Sequence, residues 1–448
     1  MKVVVFDPLS MTHSYDAYLV LALRRLGLDV SLTAITTHYD PAYYKKLGIE
    51  TNPDIDIAAK LKIENQTMRR AVKLFEYIAN LSRATTRWKT DRPDVVHVQW
   101  LRLSDLWGVE SRFLKRVRAL GIPVVYTVHN LLPHDTGEKY RDKYQRFYDL
   151  SDALVCHTAD SAEALANKFG QPRDKVTIVP FGPVIFAENA PSRDEARKML
   201  GIPDAMTVVG FLGSLKPYKG VDTMLDAWKK IVASNGKKPM LLLIAGSIEK
   251  SYKRAALKMI EDSGSNGSIR AFNTYVTNED MAAYHAASDM LVYPYKNITQ
   301  SSALLTGMDF SKPIIATSVG GFVETLANGR GKLIPANDSS ALAESILALA
   351  SNASERERLG RAAKEYVAYD QSWNKAAEIT SSLYRRLVGM QQLADVSFPA
   401  VVQTAEQMLL NHQTILVRDN LITGHRDSSK SDEVPAAVTV PVTSSSRK

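Results

Sequence analysis

The chain has 448 residues, 45% hydrophobic and 23% charged, which is typical of a globular protein long enough for two domains. A single cysteine, Cys156, excludes a disulfide framework and a cysteine metal cluster, and no stretch approaches the ~20 apolar residues of a membrane-spanning helix. The net charge of +8 suits plain solubility or an anionic lipid surface better than nucleic acid, because no zinc-finger or RNA-binding signature accompanies it.

Short β-branched runs alternate with helical patterns through the first part of the chain. Residues 2–6 predict a strand, 14–26 a helix and 29–35 a second strand. Further predicted strands lie at 95–100, 123–129, 153–158 and 176–180. This alternation predicts a parallel sheet with helices on both faces, which we assign to an amino-terminal domain over residues 1–185.

The pattern breaks at residues 186–206, which we interpret as a linker, and then resumes. The second series has predicted strands at 207–213, 239–246, 269–276, 289–295 and 313–317, and predicted helices at 221–233, 279–288 and 302–310. We assign 207–370 to a second domain, 371–392 to a helix that returns to the first domain, and the Ser- and Thr-rich residues 393–448 to a disordered tail. Doubly wound sheets bind ligands at the carboxyl ends of their strands, so a binding cleft between the two domains is predicted.

A candidate anion site follows the first strand of the second domain. The segment GFLGSLKPYKG closes the strand at Gly213, carries Lys216 and Lys219, and leads through Gly220 into a helix. A helix amino terminus with lysines beside it favours an anion such as a diphosphate. An ordinary strand–turn–helix with solvated lysines explains this segment alone equally well.

Residues 295–326 contain a second candidate. Ser301 and Ser302 are residue types that cap helices, and they precede the predicted helix 302–310. Gly320 and Gly321 let the backbone pass close to a ligand, and Glu324 is able to accept a hydrogen bond from a ribose or sugar hydroxyl. Taken singly, a plain loop and a surface glutamate are the ordinary interpretation.

In combination, GFLGSLKPYKG, LLLIAG and SKPIIATSVGGFVE resemble retaining glycosyltransferases of family four and, more loosely, the GT-B superfamily, over residues 1 to about 390. The resemblance implies an α/β GT-B fold, in which two Rossmann-like doubly wound domains face a cleft. It implies sugar transfer from a UDP- or GDP-sugar, which is a substrate rather than a cofactor. We expect neither a cofactor nor a metal ion, because basic and amide groups are able to offset the charge of the leaving diphosphate.

The resemblance also implies roles for individual residues. Lys219 matches the lysine that contacts the donor diphosphate, and Glu324 matches the glutamate of the G-G-x-x-E stretch. His129, in YTVHN, matches the histidine that the family uses on a donor-sugar hydroxyl. The complete set assigned to the donor is Gly213, Ser214, Lys219, Ser301, Ser302, Thr306, Gly320, Gly321 and Glu324.

The sequence departs from the family pattern at three places. Ser214 replaces an arginine, the first loop lacks paired glycines, and Ile298 and Thr306 stand where the family has two glutamates eight positions apart. These losses leave retaining and inverting chemistry both open.

An inverting enzyme needs a protein base on the acceptor side. The segment HNLLPHD offers His134 and Asp135 after a strand end, and we take His129 and Asp135 as catalytic candidates. His13 and Asp16, in and after the first loop, are candidates on the acceptor side.

The variant QSSALL resembles bacterial exopolysaccharide transferases of the xanthan and succinoglycan type. This implies a polyprenyl-diphosphate-linked glycan as acceptor. We expect a cytoplasmic protein, peripheral on the inner face of the plasma membrane, because basic residues such as Arg112, Lys115, Arg116 and Arg118 recur with helical spacing among apolar ones. Merely solvated arginines are the competing interpretation.

Two other classes remain open at this point. A non-catalytic GT-B sugar-nucleotide-binding protein would explain the missing glutamates, and a GT-B sugar-nucleotide epimerase would release free sugar without a lipid acceptor. An NAD enzyme is disfavoured, because no G-x-G-x-x-G follows the first strand.

Overall fold

The computed structural model describes residues 1–389 except 36–39, 53–54, 58–60, 62, 64, 102–104, 133–136, 235–238, 264–266 and 274–275. Within these residues the strands form two parallel six-stranded sheets, each flanked by helices. The predicted fold class, α/β with two doubly wound domains, is therefore confirmed. No helix of the described part is both long and apolar enough to cross a bilayer.

The first sheet has the strand order β2-β1-β3-β4-β5-β6. Its strands are β1 (Lys2–Asp7), β2 (Asp29–Ala34), β3 (Val95–Val98), β4 (Val124–Thr127), β5 (Ala153–Cys156) and β6 (Val176–Ile178). The helices are α1 (His13–Arg25), α2 (Tyr43–Lys46), α3 (Gln66–Arg87), α4 (Val109–Ala119), α5 (Arg141–Leu150) and α6 (Ala159–Phe169). Strand β1 is a continuous apolar run because helices cover both faces of the sheet, and Val3, Val4 and Val5 are all buried.

The second sheet has the order β12-β11-β10-β7-β8-β9. Its strands are β7 (Thr207–Leu212), β8 (Met240–Ala245), β9 (Ile269–Phe272), β10 (Met290–Tyr293), β11 (Ile314–Thr317) and β12 (Lys332–Ile334). The helices are α7 (Arg193–Met199), α8 (Val221–Ser234), α9 (Lys253–Asp262), α10 (Asn278–Ala287), α11 (Ser302–Asp309), α12 (Gly321–Leu326), α13 (Ser339–Ala350), α14 (Ala353–Asp370) and α15 (Trp373–Leu387).

Each sheet has one switch point, where the chain changes the direction in which it adds strands. In the first sheet this point lies between β1 and β3, because the chain leaves β2 at the edge and returns to the other side of β1. In the second sheet it lies between β7 and β10. The carboxyl ends of these two strand pairs are therefore the places where a ligand is expected.

The segment 186–206, predicted as a linker, contains helix α7. Ser192 and Glu195 form a reciprocal cap at its start, in which each side chain bonds the other's backbone N–H. The buried guanidinium of Arg197 donates to Asp289 at 2.6 Å and to the backbone carbonyls of Asp204 and Met206 at 2.9 Å. These bonds tie the connection to the second domain.

Helix α15 packs against α1, so the end of the described chain lies on the first domain. Trp373 donates from Nε1 to the carbonyl of Pro183 at 2.8 Å. The hydroxyl of Tyr384 lies 2.5 Å from Nδ1 of His97 in β3. The tail predicted to be disordered, 393–448, lies outside the described residues.

Candidate active site

The second-domain half of the site lies at the switch point, where Lys219 reaches back over the end of β7. A side-chain carbon placed on Gly213 would lie 3.2 Å from Nζ of Lys219, and this Nζ lies 5.2 Å from the ring centroid of Tyr295, just past β10. Burial lowers the pKa of the Lys219 ammonium. No carboxylate of the described residues forms a salt bridge with it. The strand ends therefore hold a positive charge that no described carboxylate pairs with.

Two glycines allow the backbone to close around this point. Gly220 has φ +73°, and a β-carbon on it would lie 1.9 Å from the carbonyl oxygen of Pro294. Gly320 has φ +44°, and a β-carbon there would lie 1.7 Å from the carbonyl oxygen of Ile298. No other residue fits such contacts, so the loop before α8 and the loop before α12 both press against the segment after β10.

Other residues assigned to the donor have partners of their own. Ser301 caps α11 by accepting from the backbone N–H of Leu304 at 3.3 Å, and Ser302 begins that helix. Ser214 is partly buried after Gly213. Thr306 is only 1% exposed, and its Oγ1 has no hydrogen-bond partner within the described part of the chain. Their contact with a donor stays a prediction.

Glu324 reaches across to the first domain. Its Oε2 accepts from the backbone N–H of Ala159 at 3.0 Å, at the start of α6. In the same place, a β-carbon on Gly321 would lie 3.0 Å from the methyl group of Thr158. Glu324 is thus bonded to a helix amino terminus of the opposite domain in this structure, a position that stabilises a carboxylate.

The first-domain half of the site holds a histidine cluster, which consists of His97, His129 and His157. Nε2 of His157 lies 3.4 Å from Nδ1 of His129, and Nε2 of His129 lies 3.2 Å from the Oε1 atom of Gln99. Tyr15 packs edge-on against His129 at 4.8 Å, and the ring of Trp100 stacks on His129 at 5.9 Å. His97 lies within β3, whereas the other residues follow β3, β4 and β5 or lie on α1, at the carboxyl edge of the sheet.

The histidine cluster is uncharged near neutral pH. Burial lowers the pKa of His157 to about 4. Burial, with a smaller effect from His157, lowers that of His97 to about 3. Burial, followed by the nearby His157 and His97, holds the pKa of His129 well below its usual range. A neutral imidazole retains a lone pair and so is able to accept a hydrogen bond from a hydroxyl.

The same domain holds a pair of buried carboxyl groups, Asp7 at the end of β1 and Asp16 on α1, next to Tyr15. Asp7 accepts from the backbone N–H of Thr12 at 2.8 Å, and the Thr12 hydroxyl lies 3.3 Å from Asp7 and 3.1 Å from Asp16. Burial raises the pKa of both groups, and the charge of Asp7 adds to the increase for Asp16. Asp16 is fully buried and thus does not face an open cleft. His13 is partly buried and packs edge-on against Tyr43 at 5.0 Å.

Two protein-family models match the chain, one over most residues of the first sheet and one over those of the second. Residues 15–182 match the family Glycosyltransferase Family 4, and residues 192–366 match Glycosyl transferases group 1. Together these ranges span more than half of the chain. The chain is a glycosyltransferase of the GT-B fold. The expectation of a hexosyltransferase-type enzyme is therefore confirmed, and a non-catalytic protein or an epimerase is not supported.

The curated relatives of this glycosyltransferase share one description. It is 26% identical over 325 residues to the D-inositol 3-phosphate glycosyltransferase of Stackebrandtia nassauensis, spanning 68% of this chain and 71% of that protein. Other curated relatives carry the same description. The family-level prediction is confirmed, while the more specific likeness to exopolysaccharide transferases is not what these relatives show.

Solved structures agree on the fold. Sucrose-phosphate synthase from Thermosynechococcus elongatus superposes with a TM-score of 0.68 at 18% identity, covering 86% of this chain and 98% of that one. Anabaena HepE, solved in complex with UDP, superposes with a TM-score of 0.65 at 14% identity, covering 87% and 100%. At such identities the likeness establishes the GT-B architecture alone.

Sequence reasoning missed Gln99 and His157, which the structure brings to His129, and the buried carboxyl of Asp7 at the end of β1. Asp7 ends β1, and Gln99 and His157 directly follow β3 and β5, so a position near the end of a strand was the available signal. Asp135 and His134 lie outside the described residues. The described residues contain no group of three or more His, Cys, Asp or Glu side chains arranged to hold a metal ion.

Proposed function

We propose that this glycosyltransferase moves a hexose from a UDP- or GDP-sugar, with the donor diphosphate at Lys219. The observation that carries the proposal is the partly buried ammonium of Lys219 at the β7–β10 switch point. No carboxylate of the described residues forms a salt bridge with this ammonium. The first turn of α8 begins two residues later and offers free backbone N–H groups. That HepE, a protein of the same fold, has been solved with UDP supports this choice.

The sugar of the donor would then face the first domain. His129 presents a neutral imidazole there, beside the partly buried indole of Trp100, and aromatic faces with a polar edge suit a sugar ring. We propose that His129 forms a hydrogen bond with a hydroxyl of one of the reacting sugars.

Catalysis in this scheme needs no divalent metal, because Lys219 and backbone amides offset the charge of the leaving diphosphate. Full transfer activity in EDTA is expected. Activity that disappears in EDTA and returns with manganese would contradict this.

For the acceptor, we propose a lipid-diphosphate-linked glycan at the cytoplasmic surface of an anionic membrane. The resemblance of QSSALL to exopolysaccharide transferases is one support. The other is the set of exposed apolar side chains on α3 and just before α4, which we call the α3–α4 face: Met68 and Phe75 on α3 are 54% and 64% exposed, and Trp107 in the turn before α4 is 68% exposed. Several exposed apolar side chains of this size are typical of membrane or partner contact where they form one patch, as we propose for this face.

Basic residues on α4 accompany the apolar side chains of the α3–α4 face. A groove of about 370 Å³ between α3 and α4 is lined by Ile78, Leu81, Ser82, Val109, Arg112, Phe113 and Arg116. Arg112, Lys115 and Arg116 are exposed on α4. Arg118 is bound to Asp152 at 3.2 Å and is the least available of the four basic residues named from sequence. Apolar groups with cations beside them match an anionic bilayer surface.

Sedimentation with vesicles of phosphatidylcholine, with and without phosphatidylglycerol, tests this acceptor. Replacing Arg112, Lys115 and Arg116 by Gln should weaken binding to the anionic vesicles at low salt, since each basic residue contributes about 1 kcal/mol and salt screens it. The matched control replaces Lys253, Arg254 and Lys258, which are exposed on α9 of the second domain, and should bind as the wild type does. Wild-type protein that ignores anionic vesicles at low salt would contradict the membrane proposal.

A phosphorylated polyol is a second candidate acceptor, because the curated relatives are described as D-inositol 3-phosphate glycosyltransferases. One experiment separates the two. Wild-type protein is first screened by thermal shift against UDP- and GDP-hexoses, which should raise the melting temperature of the protein that binds them. The binding donor is then offered with inositol 3-phosphate or with a polyprenyl-diphosphate glycan. Transfer to the soluble phosphate alone would favour the second candidate.

A further inference from the structure

The hydrogen bonds of His157 assign a proton to one of its ring nitrogens. Nδ1 of His157 lies 2.9 Å from the backbone carbonyl oxygen of Val179. A carbonyl oxygen only accepts, so Nδ1 must carry the hydrogen. In the neutral ring, Nε2 of His157 therefore presents a lone pair.

This lone pair points to His129. Nε2 of His157 lies 3.4 Å from Nδ1 of His129, and the contact is favourable when His129 carries its hydrogen on Nδ1. The remaining nitrogen of His129, Nε2, is then an acceptor. Oε1 of Gln99 lies 3.2 Å from this nitrogen, while the Gln99 amide nitrogen has no partner within the described residues. Exchanging the oxygen and nitrogen of the Gln99 amide presents its NH₂ group to Nε2 of His129 as a donor and is part of the inference.

Packing prevents His157 from turning to the opposite arrangement. Tyr15 contacts His157 at 5.3 Å and His129 at 4.8 Å between ring centroids, and Phe181 packs edge-on against His157 at 5.2 Å. The backbone carbonyl of Val179 is fixed by the chain that continues from β6. The orientation of His157 is thus held on three sides.

His97 shows what a histidine without such a constraint looks like. Its Nδ1 lies 2.5 Å from the Tyr384 hydroxyl and its Nε2 lies 2.7 Å from the Thr127 hydroxyl. A hydroxyl donates or accepts, so neither tautomer of His97 is imposed. Only the bond of His157 to a carbonyl gives the chain from Val179 to His129 a direction.

We infer that His157 is a positioning residue that fixes the tautomer of His129, so that Nε2 of His129 meets a sugar hydroxyl as a hydrogen-bond acceptor. The identity of that hydroxyl rests on the proposed function, whereas the tautomer rests on the hydrogen-bond chain alone. A hydroxyl that replaces the Gln99 amide would donate to Nε2 and be held, or lose its proton, at that nitrogen.

Nitrogen-15 NMR of histidine-labelled wild-type protein near neutral pH tests the tautomer directly. The expected spectrum has His129 protonated on Nδ1 and unprotonated on Nε2. A spectrum with the proton on Nε2 of His129 would overturn the inference, whether or not a donor has been found.

Two variants then test the consequence for transfer. His157→Phe keeps an aromatic ring beside Tyr15 and Phe181 but removes the acceptor for His129, whereas His157→Gln keeps an acceptor near the place of Nε2. Both lose the histidine bond to Val179, so their difference isolates the effect on His129. His157→Phe should mix the His129 tautomers and lower kcat roughly tenfold with little change in the donor KM. His157→Gln should retain the tautomer and most of kcat.

The control His97→Gln should leave the tautomer of His129 as in the wild type. Equal losses of kcat in His157→Phe and His157→Gln, with an unchanged His129 spectrum, would show that His157 is merely structural. Correct spectra without transfer from any UDP- or GDP-hexose would instead remove the proposed function and leave the tautomer assignment standing.

Discussion

The two halves of the candidate active site are built by different means. In the second domain the half-site is formed mainly by backbone. Gly220 and Gly320 allow two loops to pack against the segment after β10, and Lys219 supplies the positive charge. In the first domain buried polar side chains fill the corresponding edge. Asp7, Asp16 and Gln99 each have a buried atom without a hydrogen-bond partner among the described residues.

This difference fits two different tasks. A diphosphate is the same in every UDP- or GDP-sugar, and backbone N–H groups with one cation suffice to hold it. Hydroxyl groups of sugars differ in position, and side chains that are aimed at particular points are needed to tell them apart. Buried polar atoms that lack partners are costly, and such a cost is commonly found where function requires it.

The largest expected effect tests the role of backbone in the second domain. Gly320→Ala should lower the free energy of unfolding by roughly 2–4 kcal/mol, because its β-carbon would overlap the carbonyl of Ile298 and its φ is +44°. Gly201→Ala is the control, since Gly201 has a positive φ of +58° but no atom within 4 Å of the added carbon, and it should cost about 1–2 kcal/mol. Thermal melts of the two variants decide the matter, and equal losses would show that the close approach is unimportant.

A smaller effect concerns the side chains of the first domain. The pKa of Asp16 is raised in the folded protein, so its contribution to stability is present in acid and is lost as pH rises through that pKa. The Asp16→Asn variant cannot ionise at this position. Its free energy of unfolding should exceed that of the wild type by on the order of 1 kcal/mol at about pH 8, with no gain at about pH 4. A gain of the same size at both pH values would mean that ionisation of Asp16 is not what costs stability.

The histidine cluster has the opposite effect on the pH dependence of stability: it lowers the free energy of unfolding as the pH falls. The pKa values of His157 and His97 are lowered to about 4 and about 3, so the unfolded chain binds more protons as pH falls below about 6.5. His157→Gln should therefore lose less stability than wild type between about pH 6.5 and pH 4. Parallel melting curves over that range would contradict a buried neutral His157.

The smallest expected effect is that of removing the tail. From their composition, we predict that residues 393–448 do not bury enough apolar surface to offset the entropy of ordering. Truncation after residue 395 should leave both the melting temperature and transfer unchanged. A large loss of turnover would show that the tail binds a substrate or the protein itself.

Strand and helix periodicity was enough to predict the two sheets, because each strand is a short apolar run between clear breaks. It did not reveal α7, since the capping box at Ser192 and Glu195 lies among prolines and charges that indicate a linker. It also missed β12, whose three residues are too short for a pattern.

At the site, the sequence pointed to Lys219 and His129 but not to their partners. The approach of Tyr295 to Lys219 and of His157 to His129 depends on strand order, and the carbonyl of Val179 that orients His157 leaves no trace in side-chain pattern. Glu324 was assigned to the donor from its motif, and its bond to Ala159 appears only when the two domains face each other.

The central claim is that the second-domain half binds the nucleotide diphosphate and the first-domain half acts on the sugar. Calorimetric titration of two variants with UDP and GDP, which carry no sugar to be transferred, tests it most directly. Lys219→Ala should weaken binding of the preferred nucleotide by about 1.5–3 kcal/mol, or roughly 10- to 150-fold, because a charge-assisted contact is lost. His129→Gln should bind that nucleotide within about twofold of wild type while transfer of the sugar collapses. Lys250→Ala, an exposed lysine of the same domain, is the control and should match wild type. Unchanged nucleotide affinity in Lys219→Ala, or an equal loss in His129→Gln, would contradict the account.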